Sequence, residues 1–123
     1  MENTLAHQED KLKLLTKQLI NHTIDLENVF NDPEIQPENS KAFFQFVKER
    51  TEEVFHILED WERAITEHPD SLLHPSMLTS TVDNLRALIM HSYYRDVRRR
   101  RFMEIKRSCL YTLRFVLEKI EHE

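Results

Sequence analysis

The chain has 123 residues, a formal net charge of −5, 40% apolar and 32% charged residues, and no glycine. That is enough chain for one core without staples, and too apolar for a disordered tail. The missing glycine excludes a P-loop and a dinucleotide fingerprint, and takes from β-rich folds the residue that their tight hairpins and bulges need most.

In the first third, Leu5, Leu12, Leu19 and Leu26 recur every seven residues, with Leu15, His22 and Val29 three residues later. This is an a/d seam, and it predicts one helix over about 4–30. Pro33 and Pro37 in "NDPEIQPENS" end it, because proline breaks helix interiors.

A second helix is expected over about 41–68. One row is Phe44, Thr51, Leu58 and Ile65; the other is Val47, Val54, Trp61 and His68; Phe43, Phe55 and Ala64 widen the apolar face. Asn39 or Ser40 can cap its start, since a short side-chain oxygen accepts an orphan N–H there. It ends by His68, because Pro69 pushes the preceding residue out of the α region. The aromatic residues Phe43, Phe44, Phe55 and Trp61 read as core. Phe46 is off the seam, which places it under a loop or at a partner contact.

A third helix is predicted over about 76–93, opened by Pro75 or Ser76 and carrying Leu78, Val82, Leu85 and Ile89. The fourth spans about 98–121 with Phe102, Ile105, Cys109, Thr112, Leu113, Val116 and Ile120 inward. No proline or glycine separates them. The turn is placed near 93–97, with one continuous bent helix as the alternative. Short connections make successive helices antiparallel neighbours, so the expected fold is all-α: one domain, residues 1–123, forming an up-and-down four-helix bundle.

The stretch "SYYRDVRRRRFMEIKRSCLYTLRFVLEKI" resembles the C-terminal half of the YppE-like family, small proteins of unknown function from Gram-positive bacteria. Ser92, Tyr93, Arg101, Phe102, Ile105, Leu110, Tyr111, Thr112, Leu113 and Val116 carry the resemblance, and "VDNLRALI" before them is also similar. The first sixty residues match only in length and helical character. The resemblance implies a four-helix bundle and no particular activity. This chain departs from the pattern in that its basic stretch is almost all arginine.

Enzymatic chemistry finds little footing. A bundle-type di-iron centre needs two Glu-x-x-His motifs and two further glutamates facing inward. Here there is one such motif, Glu53–His56, off the apolar stripe. His22 and His68 occupy seam positions and read as hydrogen-bonded spacers. A site in which they converge with His74 or His91 stays open, because it needs only spatial proximity. Cys109 is on the apolar face and reads as a small buried hydrophobe, although Lys106 and Arg107 are close in sequence. No catalytic, cofactor-binding or metal-ligating residue is therefore assigned, and no cofactor is expected. The N-terminus lacks the basic and apolar regions of a signal peptide, and no apolar run reaches membrane-spanning length. With one cysteine there is no internal disulfide to need an oxidising compartment, so a cytoplasmic location is expected.

The unusual feature is charge. Residues 86–107 hold eight basic and two acidic residues, a net of +6, which leaves −11 for the rest of a chain totalling −5. Asp96 can reach Arg99 or Arg100, and Glu104 can reach Arg100 or Arg101, but two acids cannot neutralise five arginines. A helix starting at Arg98 would carry the wrong sign in its first turn. It then starts earlier, capped by Ser92 or Asp96, or an anion sits on the corner. If it starts earlier, Arg101 becomes half-buried and needs a carboxylate. The candidate contact surface is Tyr93, Tyr94, Arg95, Arg98, Arg99, Arg100 and Arg101, for an anionic or protein partner. Nucleic acid, stacked on the tyrosines, is the less favoured partner because the chain is acidic overall. Self-association is compatible with the sequence.

Overall fold

The computed structural model describes residues 2–122; the side chains of residues 2–5, and with them the expected seam position Leu5, lie outside it. It contains α1 (Glu2–Asn31), α2 (Lys41–Glu67), α3 (Pro75–Tyr94) and α4 (Arg99–Glu121). α1 packs against all three others, whereas α2 and α4 sit on opposite sides and do not meet. The result is an all-α four-helix bundle in which α1 is the central wall.

The helix boundaries follow local chemistry. Ser40 caps α2, its hydroxyl accepting from the Phe43 N–H at 3.1 Å. His68 ends that helix in an extended conformation (φ −63°, ψ 135°), as a residue before proline must. α3 has Pro75 in its first turn, where no N–H is required, and His74 as its cap, with Nδ1 accepting from the Ser76 N–H at 3.2 Å. No helix among the described residues is long and apolar enough to cross a membrane.

The main core runs the length of the bundle. Leu12, Leu15, Leu19 and Leu26 from α1 meet Leu58, Trp61 and Ile65 from α2, Leu85, Leu88 and Ile89 from α3, and Phe102, Leu113 and Val116 from α4. Each such side chain contributes about 1.5–3 kcal/mol through the apolar surface it withdraws from water. Trp61 is fully buried, and its Nε1–H donates to Thr16 Oγ1 at 3.0 Å. That hydroxyl in turn donates to the Leu12 carbonyl at 2.7 Å, so the polar atoms of this buried pair are satisfied.

A second, smaller cluster closes one end: Ile35, Phe43, Val47 and Tyr93, with Val29, Phe46, Met90 and Tyr94 packed around them. It corrects the expected register of α2's first turn. Phe44 was expected in the core row, but it is 58% exposed, and Phe43 is the buried residue at 8%. The α1–α2 connection brings Ile35 over the end of the bundle, and Phe43 is the neighbour that meets it. Phe46 is half-buried between Phe43 and Tyr93, with ring centroids 5.8 and 6.2 Å away.

Candidate functional site at the arginine corner

α3 ends at Tyr94 and α4 begins at Arg99, so the corner is the four-residue turn 95–98. The continuous bent helix is not formed. Arg95 makes the turn with a positive φ (52°, ψ 36°), the left-handed conformation that glycine usually supplies. In a chain without glycine, an arginine takes that place and bears the strain.

The Arg95 side chain explains why arginine is useful there. Its Nη2 donates to the main-chain carbonyls of Val29, at 3.1 Å, and Asp32. The Val29 and Asp32 carbonyls each already accept one main-chain N–H, from Asp32 at 3.1 Å and Ile35 at 3.2 Å respectively, and Arg95 adds a charged donor to both at the C-terminal end of α1, where the helix dipole favours a cation. Arg95 is thus a tertiary cap for α1, turned away from any partner.

Neither tyrosine joins the arginines on an open surface. Tyr93 is only 7% exposed and belongs to the second core cluster. Tyr94 is half-buried, its ring edge-on to Phe43 at 5.2 Å. Of the seven sequence-expected contact residues, Arg98, Arg99, Arg100 and Arg101 remain together in solvent.

These four begin α4 with the sign that the helix dipole opposes. Arg98 is the N-cap residue, extended at φ −70° and ψ 149°, and makes no side-chain cap hydrogen bond; the first turn contains no acid. Neither Ser92 nor Asp96 caps the helix. The Ser92 hydroxyl is buried and donates to the Ile89 carbonyl at 2.6 Å. Asp96 does not reach Arg99 or Arg100; it pairs with His91 Nδ1 at 2.6 Å. Because α4 does not extend backwards, Arg101 is 64% exposed instead of half-buried.

Intramolecular acids neutralise the corner only in part. Arg99 lies 3.4 Å from Glu27 and 2.6 Å from the Asn31 side-chain carbonyl. Glu27 is chiefly engaged by Lys106, whose Nζ is 2.6 Å from Oε1. The Lys106 hydrogen bond and charge, helped by Arg99, hold the Glu27 carboxyl below the usual carboxylate range. Arg100 and Arg101 share Glu104, at 3.4 and 3.7 Å, with Arg100 92% exposed. One shared carboxylate in water is worth little to either. Arg98 forms no ion pair among the described residues.

The aromatic component expected from Tyr93 and Tyr94 exists elsewhere on the same helix. Arg100, Glu104, Arg107, Tyr111, Arg114, Phe115 and Glu118 recur at helical spacing along the outer face of α4. Tyr111 is 72% exposed and Phe115 43% exposed. Around them is a shallow depression of about 380 Å³ lined also by Arg107, Leu110, Arg114 and Glu118. Lys119 Nζ stands 5.5 Å from the Phe115 ring centroid. The sequence signal was available: Tyr111 and Phe115 fall off the row of Cys109, Thr112, Leu113 and Val116.

The remaining candidates have structural explanations. Cys109 is buried, and burial pushes its thiol up to about 12, which removes the thiolate. Glu53 and His56 are exposed. Among the described residues no three histidine, cysteine or carboxylate side chains gather as a metal site. His68 Nδ1 accepts from the Asp70 N–H at 3.1 Å, His74 caps α3, and His91 pairs with Asp96. His22 lines a cleft between α1 and α2.

Comparison with known proteins agrees with this architecture. The uncharacterized protein YppE of Bacillus subtilis (strain 168) is 28% identical over 89 residues, covering 69% of this chain and 72% of YppE. A crystal structure of that protein superposes with a TM-score of 0.74 at 23% identity, covering 92% of this chain and 94% of the other. Its solution NMR structure gives 0.70 at 23% identity, over 90% and 93%. These structures share the fold. Residues 16–120 match the model of a bacterial domain of unknown function, DUF1798, and with that span matched the chain belongs to this family.

Proposed function

We propose that this DUF1798 member is a non-enzymatic, cytoplasmic interaction protein that docks an acidic protein segment on the N-terminus and outer face of α4. The observation carrying this reading is the start of α4: four arginines, no capping side chain and no acid in the first turn. Free main-chain N–H groups, the positive end of the helix dipole and exposed guanidinium groups point at the same space, and carboxylates satisfy all three. Tyr111 and Phe115 supply adjacent apolar area of the kind that anchors protein partners.

Protein is favoured over nucleic acid on two grounds. The tyrosines beside the four arginines are packed inside, so no base can stack on Tyr93 or Tyr94 at the helix start itself. The −11 carried by the rest of the chain repels a long polyanion, whereas a short acidic segment meets only the corner.

The test compares partners recovered from cell extract by wild type, by a variant with Arg98, Arg99, Arg100 and Arg101 replaced by glutamine, and by Tyr111→Ala. Partners retained by wild type and lost from both variants support the reading. Identical recovery by all three overturns it. Saturable, salt-dependent binding of single-stranded RNA or DNA, abolished in the glutamine variant, replaces it with the nucleic-acid alternative.

A further inference from the structure

A second site adjoins the α3–α4 turn, since Arg95 bonds the carbonyls of Val29 and Asp32 in its lining, but it uses none of Arg98, Arg99, Arg100 and Arg101. Between α1 and α2 is a cleft of about 370 Å³, within the size range of small-molecule sites, with Tyr93 of α3 in its lining. α1 contributes Asp25, the α1–α2 connection contributes Asp32, and α2 contributes Arg50 and Glu53. Leu26, Val29, Ile35 and Val54 add apolar surface to the lining.

Two features distinguish the cleft from an ordinary charged surface. Tyr93 is only 7% exposed as a residue, and its hydroxyl, which makes no hydrogen bond among the described residues, is not shut off from solvent. Burial raises its pKa, Arg50 acts in the opposite direction and Asp25 reinforces the rise. The phenol therefore stays protonated, in the field of two charged groups that line the same cleft. A hydroxyl that lines the cleft and has only water for a partner can exchange that water for a polar group of a ligand.

Arg50 is the other feature. It forms no ion pair with Asp25, Asp32 or Glu53, although all four line one cleft. Its guanidinium lies instead over the Phe46 ring, 5.1 Å from the centroid, while Tyr93 meets Phe46 edge-on at 6.2 Å. The cation–π contact and the aromatic pair hold cation and hydroxyl on one aromatic support. The cleft thus has opposite charges in one lining that do not pair with each other, the complement of a molecule bearing both.

We propose that this cleft binds a small zwitterionic ligand of the α-amino-acid class, its carboxylate on Arg50 and the Tyr93 hydroxyl and its ammonium on the Asp25 and Glu53 carboxylates. Three carboxylates against one guanidinium give the lining an excess of negative charge. A basic side chain on the ligand is therefore favoured, and a second carboxylate is disfavoured.

The probes are L-lysine, L-glutamate and 1,4-diaminobutane, titrated into the full chain and followed by amide NMR shifts and calorimetry. L-lysine should bind saturably at millimolar concentrations, with shifts confined to residues 22–35, 50–54 and 93. L-glutamate and 1,4-diaminobutane, lacking the correct charge or the carboxylate, should bind at least about tenfold more weakly. Arg50→Gln, on an exposed side chain, should weaken L-lysine at least about tenfold, and Tyr93→Phe, which keeps the ring packing, about three- to tenfold. No saturable L-lysine binding overturns the proposal. So does diamine binding as tight as L-lysine, or unchanged L-lysine affinity in both variants with their thermal unfolding intact.

Discussion

Arg95 Nη2 donates to the carbonyl of Val29 at 3.1 Å, so a residue in the α3–α4 turn closes the C-terminus of α1. The same residue holds φ at 52°, so one side chain stabilises and its backbone costs. Two substitutions separate the effects. Arg95→Ala loses the charged hydrogen bonds, worth about 1.5–3 kcal/mol, and keeps the left-handed backbone. Arg95→Gly loses the same bonds but relieves a strain of about 1–2 kcal/mol. Urea unfolding should therefore rank wild type above Arg95→Gly and Arg95→Gly above Arg95→Ala. If Ala and Gly unfold alike, the turn carries no backbone strain.

Arg98 should trade stability against binding. It occupies the N-cap of α4 without a capping bond and with the unfavourable charge. Arg98→Asp supplies an acceptor for the first-turn N–H groups and reverses that charge, which should add about 0.5–2 kcal/mol. Thermal unfolding checks the gain, and retention of the partner defined by the glutamine variant should fall at the same time. A more stable protein with undiminished retention would separate the helix start from the contact surface.

The four helices were legible because their cause is local. Heptad leucines, two proline-bearing connections and capping residues each act within a few positions of themselves. The turn at 95–98 was harder to read, because what makes it is an arginine in a glycine conformation whose partners are 63 and 66 residues away. Periodicity identified Tyr93 and Tyr94 only as neighbours of arginines; their burial depends on Ile35 and Phe43, which the α1–α2 connection brings to the same end of the bundle. The Phe43–Phe44 register was misread for the same reason. The charges lining the α1–α2 cleft gave no signal at all, since on each helix they look like ordinary solvated faces.

Glu27 is the acid through which the corner is tied to α1, and its pKa dictates a pH dependence. Lys106 and Arg99 depress it below 4.5, so the folded chain releases that proton more readily than the unfolded chain. A depressed carboxyl contributes stability that is present above the unfolded pKa and lost as pH falls through the folded one. Glu27→Gln should be less stable than wild type at pH 7, and the gap should close as the pH falls below about 4.5. Urea midpoints of both proteins across that range are the measurement. A gap that stays constant into acid would mean that the pair with Lys106 acts by packing and not by charge.

Cys109 gives a dependence of the opposite sign at high pH. Burial raises the thiol from 9.0 to about 12, so above pH 9 the unfolded chain loses a proton that the folded chain keeps. The unfolded state then binds fewer protons, and stability must fall as pH rises from about 9 towards 12. Cys109→Ala should be less stable at neutral pH, because it leaves a small cavity, but it should lose this part of the alkaline slope. At pH 8 the native thiol should resist a disulfide reagent and react fully once the chain is unfolded in urea. Rapid labelling of the native protein would mean that the α4 core opens readily, and a thiol so exposed would regain the chemistry that its burial removes.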